Sequence, residues 1–228
     1  MKSCFFLVMI SVIIPTLNEA KSISNCLSSL FSQKGNFEVI IVDAGSKDKT
    51  IEKAAKFNVR IVRSKKGRAL QMNKGASLAK GNILWFLHAD IVVPKNAISK
   101  IEAACKKSVG GAFYKKYDKK SFLLSVNVLV SKIRIGVFKS FWGNECIFVR
   151  KDVFEKMNGF KEIPIMEDVD FSKRLRKAGN IAVIKEYVVA SSRKYLKNGW
   201  LSQAFKNMKI LFFYYVLSWK PERLAKLY

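Results

Sequence analysis

The chain is short of the residues from which compact metal centres and covalent staples are made. It has one histidine, His88, and four cysteines (Cys4, Cys26, Cys105 and Cys146) that lie far apart with no C-x-x-C pair. A tetrahedral zinc site needs several Cys and His ligands at close spacing, so this chemistry is set aside. The cysteines read as reduced core thiols of a cytoplasmic protein. Acids are scarce as well: 17 Asp and Glu stand against 42 Lys and Arg, a formal net charge of +25. Long apolar runs are missing too. No stretch of ~20 residues is both apolar and free of charge, so no ordinary spanning helix is expected. Internal repeats and low-complexity linkers are absent, and 228 residues, half of them apolar, suit one α/β domain over residues 1–228.

A charge of this size raises nucleic acid as a partner, but the basic residues argue against it. They comprise 33 lysines and only 9 arginines, and arginine is the residue suited to bidentate reading of phosphates and bases. The lysines are also spread along the chain, as at Lys53, Lys56, Lys80, Lys100 and Lys132. A lysine-rich compositional bias is the first reading and attraction to an anionic membrane surface the second. No nucleic-acid partner is expected.

Lys2 and the run Phe5–Ile14 have the outline of a signal peptide, yet no small-residue cleavage site follows. The run passes into Pro15-Thr16-Leu17-Asn18-Glu19 and reads as a buried strand ending in a functional loop. Strands are expected at Leu7–Ile14, Phe37–Val42, Val59–Val62 and Ile83–Leu87, with helices at Ala20–Phe31, Asp48–Phe57 and Ala69–Ala79 between them. Such alternation predicts a Rossmann-like, mostly parallel sheet with flanking helices. The nucleotide-binding half would span about 8–92 and the acceptor half about 93–228. Beyond it the pattern loosens. Gly110–Tyr117 is a strand candidate outside the doubly wound order, Ser121–Phe141 is apolar with basic interruptions, and helical patterns return at Lys151–Met157, Glu167–Ala178 and Gly199–Leu217.

Ligands of such sheets bind at the carboxyl ends of the strands, so the residues following each apolar run carry the chemistry. These are Thr16 and Glu19, then Asp43 with Ser46, then His88 and Asp90. Structural readings compete. Thr16 and Glu19 have capping-box spacing, and Ser46 with Asp48 suits a helix start. Asp43 is harder to dismiss, because it closes the apolar run Val39–Val42 and its carboxylate can accept hydrogen bonds from a base or ribose. Asp90 can hold Mg²⁺ or Mn²⁺ with diphosphate oxygens as further ligands. Glu167, Asp168 and Asp170 put three acids into four residues. Asp168 falls in helical register with Phe171, Leu175 and Ala178 and is expected on their buried face, where a carboxylate is placed as a general base.

Four segments together resemble the family 2 glycosyltransferases of GT-A fold. Ser11–Glu19 is similar to the family's opening strand and nucleotide loop, Val42–Thr50 to its V-D-D-G-S-x-D-x-T segment, and Leu87–Asp90 to its L-D-A-D metal motif. Met166-Glu167-Asp168 with Arg174 and Gly179 resembles its E-D…R…G catalytic segment. They occur in family order over about residues 8 to 180. The resemblance implies a metal-dependent, inverting transfer from a UDP- or GDP-hexose to a small-molecule or lipid acceptor. Thr16, Glu19 and Asp43 would hold the nucleoside, Asp90 the Mn²⁺ or Mg²⁺, and Asp168, with Glu167 beside it, would serve the acceptor hydroxyl. Two positions depart from the pattern, with Ala44 for the second acid of V-D-D and His88 for the first acid of L-D-A-D. A subgroup with this histidine also carries G-R-A-x-Q-M-N, similar to Gly67–Asn73 here, and is linked with arsenosugar biosynthesis. By that likeness Arg68 would face the donor phosphates.

Ser121–Trp142 and Ile210–Leu217 are too short or too charged to span a bilayer. They suit core packing, a homodimer face or rest in a membrane interface, which would put the chain peripherally on the cytoplasmic side. Two rival functions stand beside glycosyl transfer: a non-catalytic binder of nucleotide or anionic lipid, which His88 and Ala44 motivate, and a nucleotidyltransferase on a related sheet. Intact Glu167-Asp168 speaks against the first. Lack of a Gly/Lys-rich N-terminal phosphate loop speaks against the second.

Overall fold

Residues 8–215 and 217–227 are described by the computed structural model; Cys4 and the start of the first expected strand lie outside them. The first strand, β1 (Ile10–Thr16), shows why the sheet forms as it does. Successive side chains leave opposite faces, and both faces are covered. Ile10, Val12 and Ile14 enter one hydrophobic cluster while Ile13 enters the other. A strand buried on both sides reads as a continuous apolar run.

The chain continues through α1 (Ile23–Phe31), β2 (Phe37–Asp43), α2 (Thr50–Ala54), β3 (Arg60–Arg63), α3 (Arg68–Leu78), β4 (Ile83–Phe86) and β5 (Ile91–Val92). Then come α4 (Ala97–Cys105), β6 (Gly110–Tyr117), α5 (Phe122–Phe138), a 3-10 turn at Gly143–Glu145, β7 (Phe148–Arg150) and α6 (Lys151–Lys156). The last elements are α7 (Glu167–Ala178), β8 (Ile181–Ala190), α8 (Arg193–Asn198), α9 (Trp200–Tyr215) and α10 (Pro221–Ala225). The strands form one sheet in the order β3-β2-β1-β4-β7-β6-β8-β5. β7 opposes β4 and β6, and β5 opposes β8; the other six strands point the same way. One rim therefore collects the carboxyl ends of β1, β2, β4, β6 and β8. α1 and α4 cover one face of the sheet, and α3, α5, α6 and α7 cover the other.

Two helices start later than their periodicity predicts, for a common reason. The backbone N–H groups of Glu19 and Ala20 are taken by Thr50 Oγ1 at 2.7 Å and Asp48 Oδ2 at 3.1 Å. This holds the loop after β1 open until Ile23, and no Thr16–Glu19 capping box forms. Asp48 stands just ahead of α2 as expected of an acid at a helix start, its Oδ1 accepting from the Thr50 N–H at 3.0 Å, and its other oxygen ties the two loops together so that α2 starts at Thr50. The apolar stretch from Ser121 proves to be mostly one helix, α5. Trp200–Tyr215 is helical within the expected Gly199–Leu217 stretch, of which residue 216 lies outside the described residues.

Gly110 and Gly111 mark where β6 is pressed between β7 and β8. A Cβ on Gly110 would lie 2.5 Å from the Phe148 carbonyl oxygen and 3.0 Å from Val149 Cα. Both are backbone atoms of a paired strand and cannot swing aside. Gly110→Ala is expected to destabilise the chain by about 2–4 kcal/mol, read as a lower urea midpoint with an unchanged transition slope.

Candidate active site

The carboxyl rim is concave and encloses a cavity of about 640 Å³. Its wall takes Thr16 and Glu19 from the loop after β1, Arg68 from the start of α3, and His88 and Asp90 from the turn after β4. Glu167 and Asp168 come from the start of α7. Seven of the eight residues singled out from sequence thus meet in one place. The eighth, Asp43, lies one layer behind the wall.

Asp43 ends β2 and is 3% exposed. Its Oδ1 accepts from Thr16 Oγ1 at 3.1 Å and Ser46 Oγ at 2.5 Å. Its Oδ2 accepts from the backbone N–H groups of Gly45 and Ser46, each at 2.8 Å. A carboxylate offers about four acceptor positions, and all of them serve its own loop and the neighbouring end of β1. Burial alone would raise the Asp43 pKa; the hydrogen bonds from Ser46, Gly45 and Thr16 outweigh it and hold the carboxyl below its ordinary value. Gln71 completes this corner, its Nε2 donating to the Val42 and Thr16 carbonyls at 2.7 and 3.0 Å. α3 is thereby fastened to the ends of β1 and β2.

The acids of α7 are arranged differently from the sequence expectation. Glu167, Phe171 and Leu175 form the buried stripe, with Glu167 3% exposed, whereas Asp168 is half-buried and faces the cavity and Ala178 is exposed. The register that put Asp168 inward relied on Ala178, a weakly apolar residue at the helix end. Arg68 Nη1 donates to Glu167 Oε1 at 3.0 Å. Burial raises the Glu167 pKa, the adjacent Asp168 carboxylate adds to this, and Arg68 opposes both. Asp168 accepts hydrogen bonds from the backbone N–H groups of Gly143 and Val169. A Cβ on Gly143 would sit 2.5 Å from His88 Nε2 and 3.4 Å from Asp168 Oδ2. His88 and Asp168 therefore flank a point where only glycine fits.

Asp90 gives the cavity one carboxylate, and among the described residues no three His, Cys, Asp or Glu side chains gather into a cation cage. Mg²⁺ and Mn²⁺ are commonly held by one or two carboxylates, with substrate phosphates and water completing the shell. The donor set fits an ion that arrives with a diphosphate and does not fit one held by protein alone.

Several residues in the wall or close to it escaped the sequence reading. Lys115 lies in β6 at 2% exposure, with Nζ 3.7 Å from Glu145 Oε1 and 5.0 Å from the centre of the Trp142 ring. Glu145 is fully buried and also accepts from Ser131 Oγ, Arg134 and the Trp142 N–H. Arg193 follows β8 and reaches across the rim to Glu19 Oε2 at 2.7 Å. Strand alternation was the available signal for Lys115, which shares a parity with Phe113 and Tyr117. Arg193 offered none, because its partner lies 174 positions away.

The chain is similar to known proteins in sequence and in fold. The chain is 31% identical over 196 residues to the glycosyltransferase AglE of Haloferax volcanii, an alignment covering 75% of this chain and 62% of AglE. The chain thus spans less than two thirds of that relative. Among solved structures, TarS from S. aureus in complex with UDP superposes with a TM-score of 0.67 at 23% identity, covering 81% of this chain and 60% of TarS. The mannosyltransferase PcManGT from Pyrobaculum calidifontis, in complex with GDP-Man and Mn²⁺, gives 0.66 at 21% identity, covering 88% and 60%. These likenesses establish the GT-A fold. Residues 11–141, more than half of the chain, match the profile of glycosyl transferase family 2, and the protein is a member of that family of enzymes.

Proposed function

We propose that the cavity binds a nucleoside diphosphate sugar and that the chain transfers the sugar, with inversion, to the hydroxyl of a small-molecule or lipid acceptor. The carrying observation is the convergence of Glu19, His88, Asp90, Glu167 and Asp168 on one cavity in a chain that has 17 acids in all. The UDP bound to TarS and the GDP-Man and Mn²⁺ bound to PcManGT support the donor class.

In this reading Thr16 and Glu19 face the nucleoside, and Asp43 acts by holding their loop in shape. A base that bonded Asp43 directly would have to displace one of its four present donors. Arg68 faces the diphosphate from the mouth of the cavity, held by Glu167. Asp90, with His88 nearby, would hold Mn²⁺ or Mg²⁺, which when bound neutralises charge on the departing diphosphate. Asp168 takes the proton of the acceptor hydroxyl as its oxygen bonds to the anomeric carbon and the bond to the diphosphate breaks. The Gly143 and Val169 N–H groups aim this carboxylate before the acceptor arrives. That preset aim favours catalysis over the rival reading of a binder without turnover. His88 together with Gly67–Asn73 supports placing the chain in the histidine-variant subgroup linked with arsenosugar biosynthesis.

Lys115 brings a positive charge to the acceptor side of the cavity. Burial lowers its pKa to about 8, Glu145 opposes that shift and Arg134 reinforces it. Between about 8 and the ordinary 10.5 the unfolded chain keeps this proton while the folded chain has shed it. The unfolded state then binds more protons, so this group makes stability rise with pH across that window.

Three outcomes follow. Asp168→Asn should lower turnover by about 10²–10⁴-fold while leaving donor affinity by calorimetry unchanged; full activity would remove Asp168 from the mechanism. Asp90→Asn should abolish the gain in UDP affinity on adding Mn²⁺ and leave metal-free affinity alone. Lys115→Met, in which Glu145 keeps Arg134 and Ser131, should flatten the rise of thermal stability between pH 8 and 10.5. An identical profile for both proteins would refute the buried, depressed lysine.

A further inference from the structure

A helix on a protein surface ordinarily turns a polar side to water, and α5 does not. Phe122, Val126, Leu129, Val130, Ile133 and Val137 are all exposed, from 41% at Val126 to 81% at Phe122. At 100° per residue these six fall within an arc of about 100° that contains no charged residue. The opposite side of the helix buries Leu124, Ser131 and Ile135, so the exposed stripe is not a core face left open. Beside it lies a second cavity of about 550 Å³ with Val130, Ile133 and Phe138 in its wall and Lys139, Lys173 and Arg176 on the same lining. α9 packs against α5 and adds exposed Phe205, Met208 and Phe212.

We propose that this face seats on a bilayer of anionic phospholipid. The aliphatic stripe enters the acyl boundary, and the lipid phosphates meet Lys139, Lys173 and Arg176 around the groove. Charge decides the occupant. A second copy would bring the same basic groove to the interface, on a chain of formal net charge +25, and like charges repel. An anionic surface meets them with the opposite sign. Among the described residues no helix is long and apolar enough to cross a membrane, so the helix lies along the surface. The proposal rests on this surface alone and is independent of the donor chemistry.

The full chain would be sedimented with vesicles of phosphatidylcholine and with vesicles of phosphatidylcholine plus phosphatidylglycerol, at low and high salt. Binding is expected only to the anionic vesicles, and it should weaken as salt rises. The combined variant Leu129→Ser, Ile133→Ser, Val137→Ser should bind them at least about tenfold more weakly. Its melting temperature and UDP affinity should match the parent, which reports the fold and the donor cavity separately. Equal binding of parent and variant, equal binding to both vesicle types, or no vesicle binding would overturn the proposal. So would a dimer of the parent chain that the triple variant dissolves in the absence of vesicle binding; that result assigns the face to a second copy.

Discussion

One buried carboxylate organises a wall of the cavity. Asp43 draws Thr16, Gly45 and Ser46 around itself, and Ser46 Oγ in turn accepts from the Asn18 N–H at 2.9 Å. Lys47 N–H closes the ring by donating to Asn18 Oδ1 at 2.8 Å. Two loops from neighbouring parallel strands thus become a single hydrogen-bonded unit. Backbone that would need water elsewhere is satisfied by side chains here, and the loops can stand at the mouth of a cavity without regular structure. Gln71 extends the same unit to α3, and through α3 it reaches Arg68 and Glu167.

The basic character of the chain takes on a local meaning at this rim. Four acids at or beside the rim are held by a cation or by backbone: Glu167 by Arg68, Glu19 by Arg193, Asp170 by Lys161 and Arg174, Asp168 by Gly143. Buried carboxylates without partners would be costly and would neutralise themselves by taking up protons. Lysine and arginine in excess let a few acids sit close together. Arg174 has a second task, with its Nη atoms donating to the Met157 and Gly159 carbonyls at 2.8 Å and shaping the loop that leads into α7.

The first half of the chain was largely legible in the sequence because β1, β2 and β4 are buried on both faces and so appear as largely apolar runs. The carboxyl-end rule then pointed to the rim where the cavity lies. The second half resisted for physical reasons. β8 carries Lys185, Glu186 and Tyr187 in its middle, since its outer part is only partly covered, and β5 has two residues, too few for any periodicity. The faces of α7 were misassigned because a residue lining a cavity and a residue in the core have the same helical spacing. Lys115 and Lys116 look equivalent on the page, yet one is buried beside Glu145 and the other is exposed. Alternation separates them only once the strand's inner face is known.

The reversal of β7 carries a consequence for how this architecture diversifies. Because β7 runs against its neighbours, the segment entering it, Trp142 to Asn144, arrives at the same rim that other strands reach as they leave. The two sides of the cavity are thus encoded in different grammars, exits of parallel strands on one and the approach to an antiparallel strand on the other. Insertions between α5 and β7 can recast the second side while the knot around Asp43 stays untouched. Under the proposed function, such a chain would change its acceptor without altering how it holds its donor.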